Sequence, residues 1–227
     1  MKGLLVLFIS SIVLPAHAGI VIYGTRIIYP AEKNEVLVQL MNQGERSSLV
    51  QSWIDDGDTS LPPEKIKVPF LLTPPVVKVA GDSGQQIKIK KMANMLPNNK
   101  ESLFFLNVLD IPPNNPDSAG KNVLKFAMQN RIKLFYRPKG ISPVNKHTFQ
   151  KLSMKRSGSI YSIKNDAANW ITVTEVKANN VKINNESIML APLSSADVTL
   201  KSANTNQYKM TIIDDHGNYI IDNVSLK

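Results

Sequence analysis

The chain has 227 residues, 43% apolar and 20% charged, which excludes wholesale disorder and collagen-like repeats. Lys and Arg outnumber Asp and Glu by 27 to 18, a balance that suggests an acidic partner or anionic surface but says little about fold. Cysteine is absent, so disulfides, thiol catalysis and zinc–thiolate sites are excluded, and the fold must rest on core burial.

Lys2 is followed by an apolar run from Leu4 to Leu14, then Ala16-His17-Ala18. A basic start, a short apolar stretch and small residues at −3 and −1 predict a signal peptide over 1–18, cleaved before Gly19. The run is too short to span a bilayer, and no later segment approaches eighteen apolar residues. The expectation is an exported, soluble protein.

Strand signals follow in order. Val36, Val38 and Leu40 alternate, as do Val50, Ser52 and Ile54 around Trp53; Ile87 and Ile89 alternate with Lys88 and Lys90. Leu103 to Ile111 is a nearly continuous apolar run. Between them lie turn clusters, Asp55-Asp56-Gly57-Asp58, Pro62-Pro63, Gly81-Asp82-Ser83-Gly84, Asn98-Asn99 and Pro112-Pro113-Asn114-Asn115-Pro116. A linker is expected over Arg137-Pro138-Lys139-Gly140-Ile141-Ser142-Pro143. Beyond it about seven short strands are expected, at Leu152–Met154, Ile160–Ile163, Trp170–Val176, Val181–Ile183, Val198–Leu200, Tyr208–Ile213 and Tyr219–Val224. The predicted fold class is all-β, two tandem immunoglobulin-like β-sandwich domains, at 19–138 and 139–227.

Val123 to Tyr136 stands out. Leu124, Phe126, Met128, Asn130, Ile132, Leu134 and Tyr136 alternate with Lys125, Ala127, Gln129, Arg131, Lys133 and Phe135. A strand of this length exceeds the usual five or six residues and would extend over roughly 45 Å. Either it bends between two sheets or part of it serves something outside its own domain. Eleven of the 27 Lys and Arg fall between Asp117 and Asp166, where no acidic residue occurs. This reads as a solvated basic face, as edge lysines that discourage pairing, or as a strand offering apolar and cationic groups to a carboxylate-bearing chain. Nucleic acid is disfavoured: there is no helix-turn-helix, RNP-like or zinc-finger pattern.

At this point the residues resemble a known family, the periplasmic pilus (fimbrial) chaperones. The similarity lies in Gly24-Thr25-Arg26-Ile27-Ile28-Tyr29-Pro30, Gln51-Ser52-Trp53-Ile54, Leu72-Thr73-Pro74-Pro75, Glu101-Ser102-Leu103-Phe104-Phe105-Leu106-Asn107-Val108 and Asn130-Arg131-Ile132-Lys133-Leu134-Phe135-Tyr136-Arg137-Pro138. Trp170-Ile171-Thr172-Val173-Thr174 and Asp214-Asp215-His216-Gly217 fit more loosely. The resemblance implies that Arg26 and Lys133 bind the carboxylate at the C-terminus of a pilus subunit. It implies too that Leu124, Phe126 and Met128 enter that protein's open groove by donor-strand complementation, and that Glu101, Arg137 and Asp215 form an interdomain salt bridge. Asp214 is an equal candidate for the last place, where the family more usually has Asn-Asp. Periodicity alone cannot separate a donated apolar face from a core face.

The short loop before the long strand and the missing cysteine pair resemble the branch that builds rod-like pili. The resemblance further implies a periplasmic location, ATP-independent action, an outer-membrane usher as second partner and no cofactor. An exposed apolar edge would also invite self-association of the free protein. No enzyme is expected. His147 and His216, the histidines outside the signal, lack a nucleophile motif, the Asp55–Asp58 cluster lacks EF-hand spacing, and no nucleotide loop occurs. The alternative is a secreted tandem-domain adhesion or structural module that binds anionic surfaces.

Overall fold

A computed structural model describes residues 19–93, 96–113, 124–158, 160–201 and 205–226. The expected signal peptide, Val123 and Asn114–Pro116 lie outside the described residues. The first unit contains β1 (Ile20–Ile22), β2 (Arg26–Pro30), β3 (Glu35–Asn42), β4 (Ser48–Asp55), β5 (Phe70–Thr73), β6 (Val76–Val79), β7 (Ser83–Lys91), β8 (Ser102–Ile111) and β9 (Met128–Arg137). They form a four-stranded sheet, β1-β3-β7-β5, facing a five-stranded sheet, β2-β9-β8-β4-β6. The alternating residues Val38, Leu40, Val50, Ile54, Ile87 and Ile89 all point into the core between them. Tyr29, Phe70, Phe104 and Tyr136 fill its centre, with ring centroids 5.0 Å apart for Phe70–Phe104 and 5.5 Å for Tyr29–Phe70. Such tilted and edge-on contacts suit the ring quadrupoles.

The entering chain changes sheets. β1 pairs with β3, and β2 then runs parallel to β9 in the opposite sheet. Gly24, at φ +106°, makes the turn between them, a backbone conformation that a side chain would strain.

The second unit contains β10 (Leu152–Ser157), β11 (Ile160–Asn165), β12 (Ile171–Ala178), β13 (Val181–Lys182), β14 (Ile188–Leu190), β15 (Ser194–Val198), β16 (Gln207–Ile213) and β17 (Tyr219–Ser225). Sheet β10-β11-β15 packs on β13-β12-β16-β17, with β14 also paired to β12. The core includes Met154, Tyr161, Ile163, Ile171, Tyr208, Met210 and Ile212. Two details differ from expectation: β14 is an additional short strand, and the strand expected at Val198–Leu200 ends at Val198, having begun at Ser194. Its side chains lack the clear apolar alternation that marks the others. Together the two units form an all-β, two-sandwich chain.

The long strand is also shorter than the alternation predicts. β9 begins at Met128, and residues 124–127 belong to no strand. Their antiparallel neighbour runs out: Met128 opposes Asp110, and β8 stops at Ile111, ahead of Pro112-Pro113. Proline has no amide hydrogen to continue a ladder.

Candidate pilin-binding site

Parallel pairing of β2 with β9 sets Arg26 directly beside Lys133. The second domain meets this pair. Arg26 Nη1 lies 3.5 Å from the carbonyl oxygen of Ile213, and Lys133 Nζ lies 3.5 Å from Thr172 Oγ1. Both cations are half-buried, and neither takes part in an ion pair among the described residues. Arg26 Nε is buried with no hydrogen-bond partner. Burial pushes the Lys133 ammonium below its usual range, and the neighbouring Arg26 charge lowers it further. Burial also lowers Arg26, against the opposing pull of Asp215, Asp214 and Glu101. Two desolvated like charges on one face favour a ligand that brings a carboxylate, because each then gains a charge-assisted hydrogen bond.

At the other end of the strand, Leu124, Phe126 and Met128 are 78%, 69% and 62% exposed. They do not belong to this domain's core, although the same alternation continues into the core through Leu134 and Tyr136. From Met128 to Ile132 the strand pairs with β8 on one side only, since β2 covers just Lys133 to Arg137. An open ladder edge therefore runs beside an exposed apolar row.

Glu101, Arg137 and Asp215 meet at the domain junction. Arg137 Nε donates to Glu101 Oε1 at 2.6 Å, Nη2 donates to Asp215 Oδ1 at 2.8 Å, and Nη1 pairs with Asp215 Oδ2. Glu101 also accepts from the Trp170 amide at 2.8 Å and Asn169 Nδ2 at 3.1 Å. Burial pushes the Glu101 carboxyl up, and Arg137 with these donors pulls only partly back. For Arg137 burial opposes the charge, but Asp215 and Glu101 outweigh it and hold the guanidinium above its usual range. Asp214 does a different job: its carboxylate accepts the amides of His216 and Asn218, shaping the turn that presents Asp215.

Sequence reasoning missed one cluster. Asp55 reads as part of a hydrophilic turn, yet it ends β4 and its side chain is only 3% exposed. Arg131 and Asn107 both donate to it. The visible cue is Asn107, a polar residue inside the apolar run of β8. Asn169 and the Trp170 amide left no comparable signal.

Two family models match the chain: "Pili and flagellar-assembly chaperone, PapD N-terminal domain" over 19–142, and "Pili assembly chaperone PapD, C-terminal domain" over 147–223. The chain belongs to the pilus-assembly chaperone family. Among curated members, it is 72% identical over 224 residues to the probable fimbrial chaperone YehC of Escherichia coli, covering 99% of this chain and 94% of that one. It is 36% identical over 234 residues to the chaperone protein MrkB of Klebsiella pneumoniae, covering all of both. The crystal structure of the YadV chaperone, a protein of Escherichia coli, superposes with a TM-score of 0.75 at 33% identity, over 92% of this chain and 100% of that one.

Proposed function

We propose that this protein is a periplasmic, ATP-independent chaperone that captures incomplete pilus subunits. Leu124, Phe126 and Met128 would fill the groove of the incomplete pilin, and the open edge of β9 would complete its sheet, the strand-addition mode established for pilin chaperones. Each apolar side chain contributes about 1.5–3 kcal/mol when fully buried. Arg26 and Lys133 would hold the pilin's C-terminal carboxylate. Met128 lies five residues before Lys133, roughly 17 Å along the strand, so the anchor fixes the register of the bound chain. The trio of Glu101, Arg137 and Asp215 would set the angle between domains, with the boundary after Pro138. An outer-membrane usher would receive the loaded pilin. No catalytic residue or cofactor enters this reading, because the work is done by binding free energy.

The observation that carries the proposal is the Arg26–Lys133 pair without a carboxylate partner among the described residues, on the strand that exposes the apolar row. The test is binding of a peptide that reproduces the last strand of a pilin, with its C-terminal carboxylate free or amidated. The wild type should prefer the free carboxylate, and Arg26→Ala or Lys133→Ala should remove the preference. Equal binding of both peptides by the wild type would overturn the anchor.

A further inference from the structure

On the face of the five-stranded sheet turned away from its core, a continuous polar chain crosses three strands. Gln129 Nε2 donates to Asn107 Oδ1 at 2.8 Å, and Asn107 Nδ2 donates to Asp55 Oδ2 at 2.5 Å. Arg131 closes the chain: its Nε and Nη2 donate to the two Asp55 oxygens at 3.2 and 2.6 Å. The Arg131 guanidinium also stacks 3.6 Å above the Phe105 ring. Asn107 and Asp55 are almost fully buried, so this is a built network and not a set of surface charges. It begins on β4, crosses β8 and ends on β9.

The location matters. Gln129 and Arg131 lie in the stretch of β9 that has β8 on one side and, among the described residues, no paired strand on the other, where Asn130 Nδ2 donates to the Ile20 carbonyl oxygen at 3.4 Å. A strand held from one side slips more readily, and a slip of one residue turns every side chain to the opposite face. Such a slip would turn Leu124, Phe126 and Met128 away from the client. A slip of two would keep the face but shift those side chains relative to Arg26.

We propose that Asp55, acting through Arg131 and through Asn107 and Gln129, is a register lock for the half-paired end of β9. It holds the donated side chains at a fixed distance from the carboxylate anchor before any client arrives. All four are positioning residues, since none is assigned a contact with the client. The strand is thereby ordered in advance, so the complex loses less conformational freedom on binding. The bidentate, stacked geometry also explains why an arginine suits position 131: a lysine could neither fork onto both carboxylate oxygens nor lie flat on Phe105.

This inference rests on the chaperone reading, and its test separates the two. Amide hydrogen exchange is measured on the full mature chain for wild type, Arg131→Ala, Arg131→Lys and Gln129→Ala. The same proteins are titrated with the pilin peptide in free and amidated forms. Arg131→Ala should raise exchange about tenfold at those amides of 129–132 that bond to β8 and leave 133–136, paired on both sides, unchanged. It should weaken peptide binding about tenfold and keep the ratio of free to amidated affinity. Arg131→Lys should recover part of both losses. Gln129→Ala removes one link from an exposed side chain and should give a smaller effect of the same pattern.

Unchanged exchange at 129–132 would overturn the lock. So would a rise spread evenly over the domain, which would mark a general loss of stability. Wild-type protein that ignores the peptide would overturn the chaperone reading and with it the purpose of the lock, while the exchange pattern would still decide whether the strand is held.

Discussion

Lys133 offers the sharpest test of the electrostatic argument, because its removal should stabilise the free protein while abolishing its selectivity. Lys133 and Arg26 face each other across a parallel strand pair, where neighbouring backbones are about 4.8 Å apart. Placing the two charges roughly 6 Å apart gives a repulsion of about 0.7 kcal/mol in water and about 3 kcal/mol at an effective dielectric of 20. Both groups are only half-buried, so solvent screening leaves on the order of 1 kcal/mol. Lys133→Met keeps the aliphatic stem and removes the charge. The melting temperature should rise by about 2–4 °C in calorimetry, and the preference for a free carboxylate should vanish.

Burial lowers the Lys133 pKa in the folded protein, which fixes the sign with pH. Below the folded pKa the lysine is charged in both states, and the full penalty is present. As pH rises from the folded pKa towards about 10.4, the unfolded chain binds more protons than the folded one, so wild type gains stability. The gap between mutant and wild type should therefore close over that interval. A mutant that melts lower than wild type, or a gap that widens with pH, would refute the reasoning.

Other substitutions test the remaining parts of the arrangement. Phe126→Asp changes a side chain that is 69% exposed, so it should shift stability by less than about 0.5 kcal/mol yet abolish pilin-peptide binding; collapse of the fold would return Phe126 to the core. Arg137→Met strands Glu101 and Asp215 in a nearly dry junction and should cost about 3–5 kcal/mol in chemical denaturation, with the two domains melting separately; a loss below about 1 kcal/mol would sink the interdomain role. Gly217 sits at φ +91° with its missing Cβ aimed at the Thr25 side chain, so Gly217→Ala should destabilise by at least about 1–2 kcal/mol, and an unchanged melting curve would contradict the close approach. For Asp55, burial pushes the carboxyl up, but Arg131, Asn107 and the Gly57 amide outweigh it and hold the folded pKa below normal. Its contribution is thus present above about pH 3.9 and lost as pH falls through the lower folded value. Asp55→Asn should flatten that acid limb of the stability profile, and an identical limb in mutant and wild type would exclude it.

The apolar row illustrates what periodicity reports. Alternation places Leu124, Phe126, Met128, Leu134 and Tyr136 on one face of a strand, whether or not anything covers that face. The structure divides the row: Leu134 and Tyr136 enter the core, whereas Leu124 and Phe126, before β9 begins, and Met128, opposite Asp110 near the end of β8, stand in solvent. Asp214 and Asp215 are similarly indistinguishable until the turn is built, when one caps it and the other meets Arg137.

What the sequence determined by itself was the local part. Alternation located most strands, prolines and glycines the turns, and the ordered motifs from Gly24 to Pro138 the family, because strand pattern and turn chemistry are encoded over a few neighbouring residues. Only the tertiary structure set Arg26 against Lys133, brought Glu101 and Asp215 together on Arg137, and joined Asp55, Asn107 and Arg131 across three strands. These contacts link residues distant in the chain, and their charges mean little until burial removes the water that would otherwise screen them.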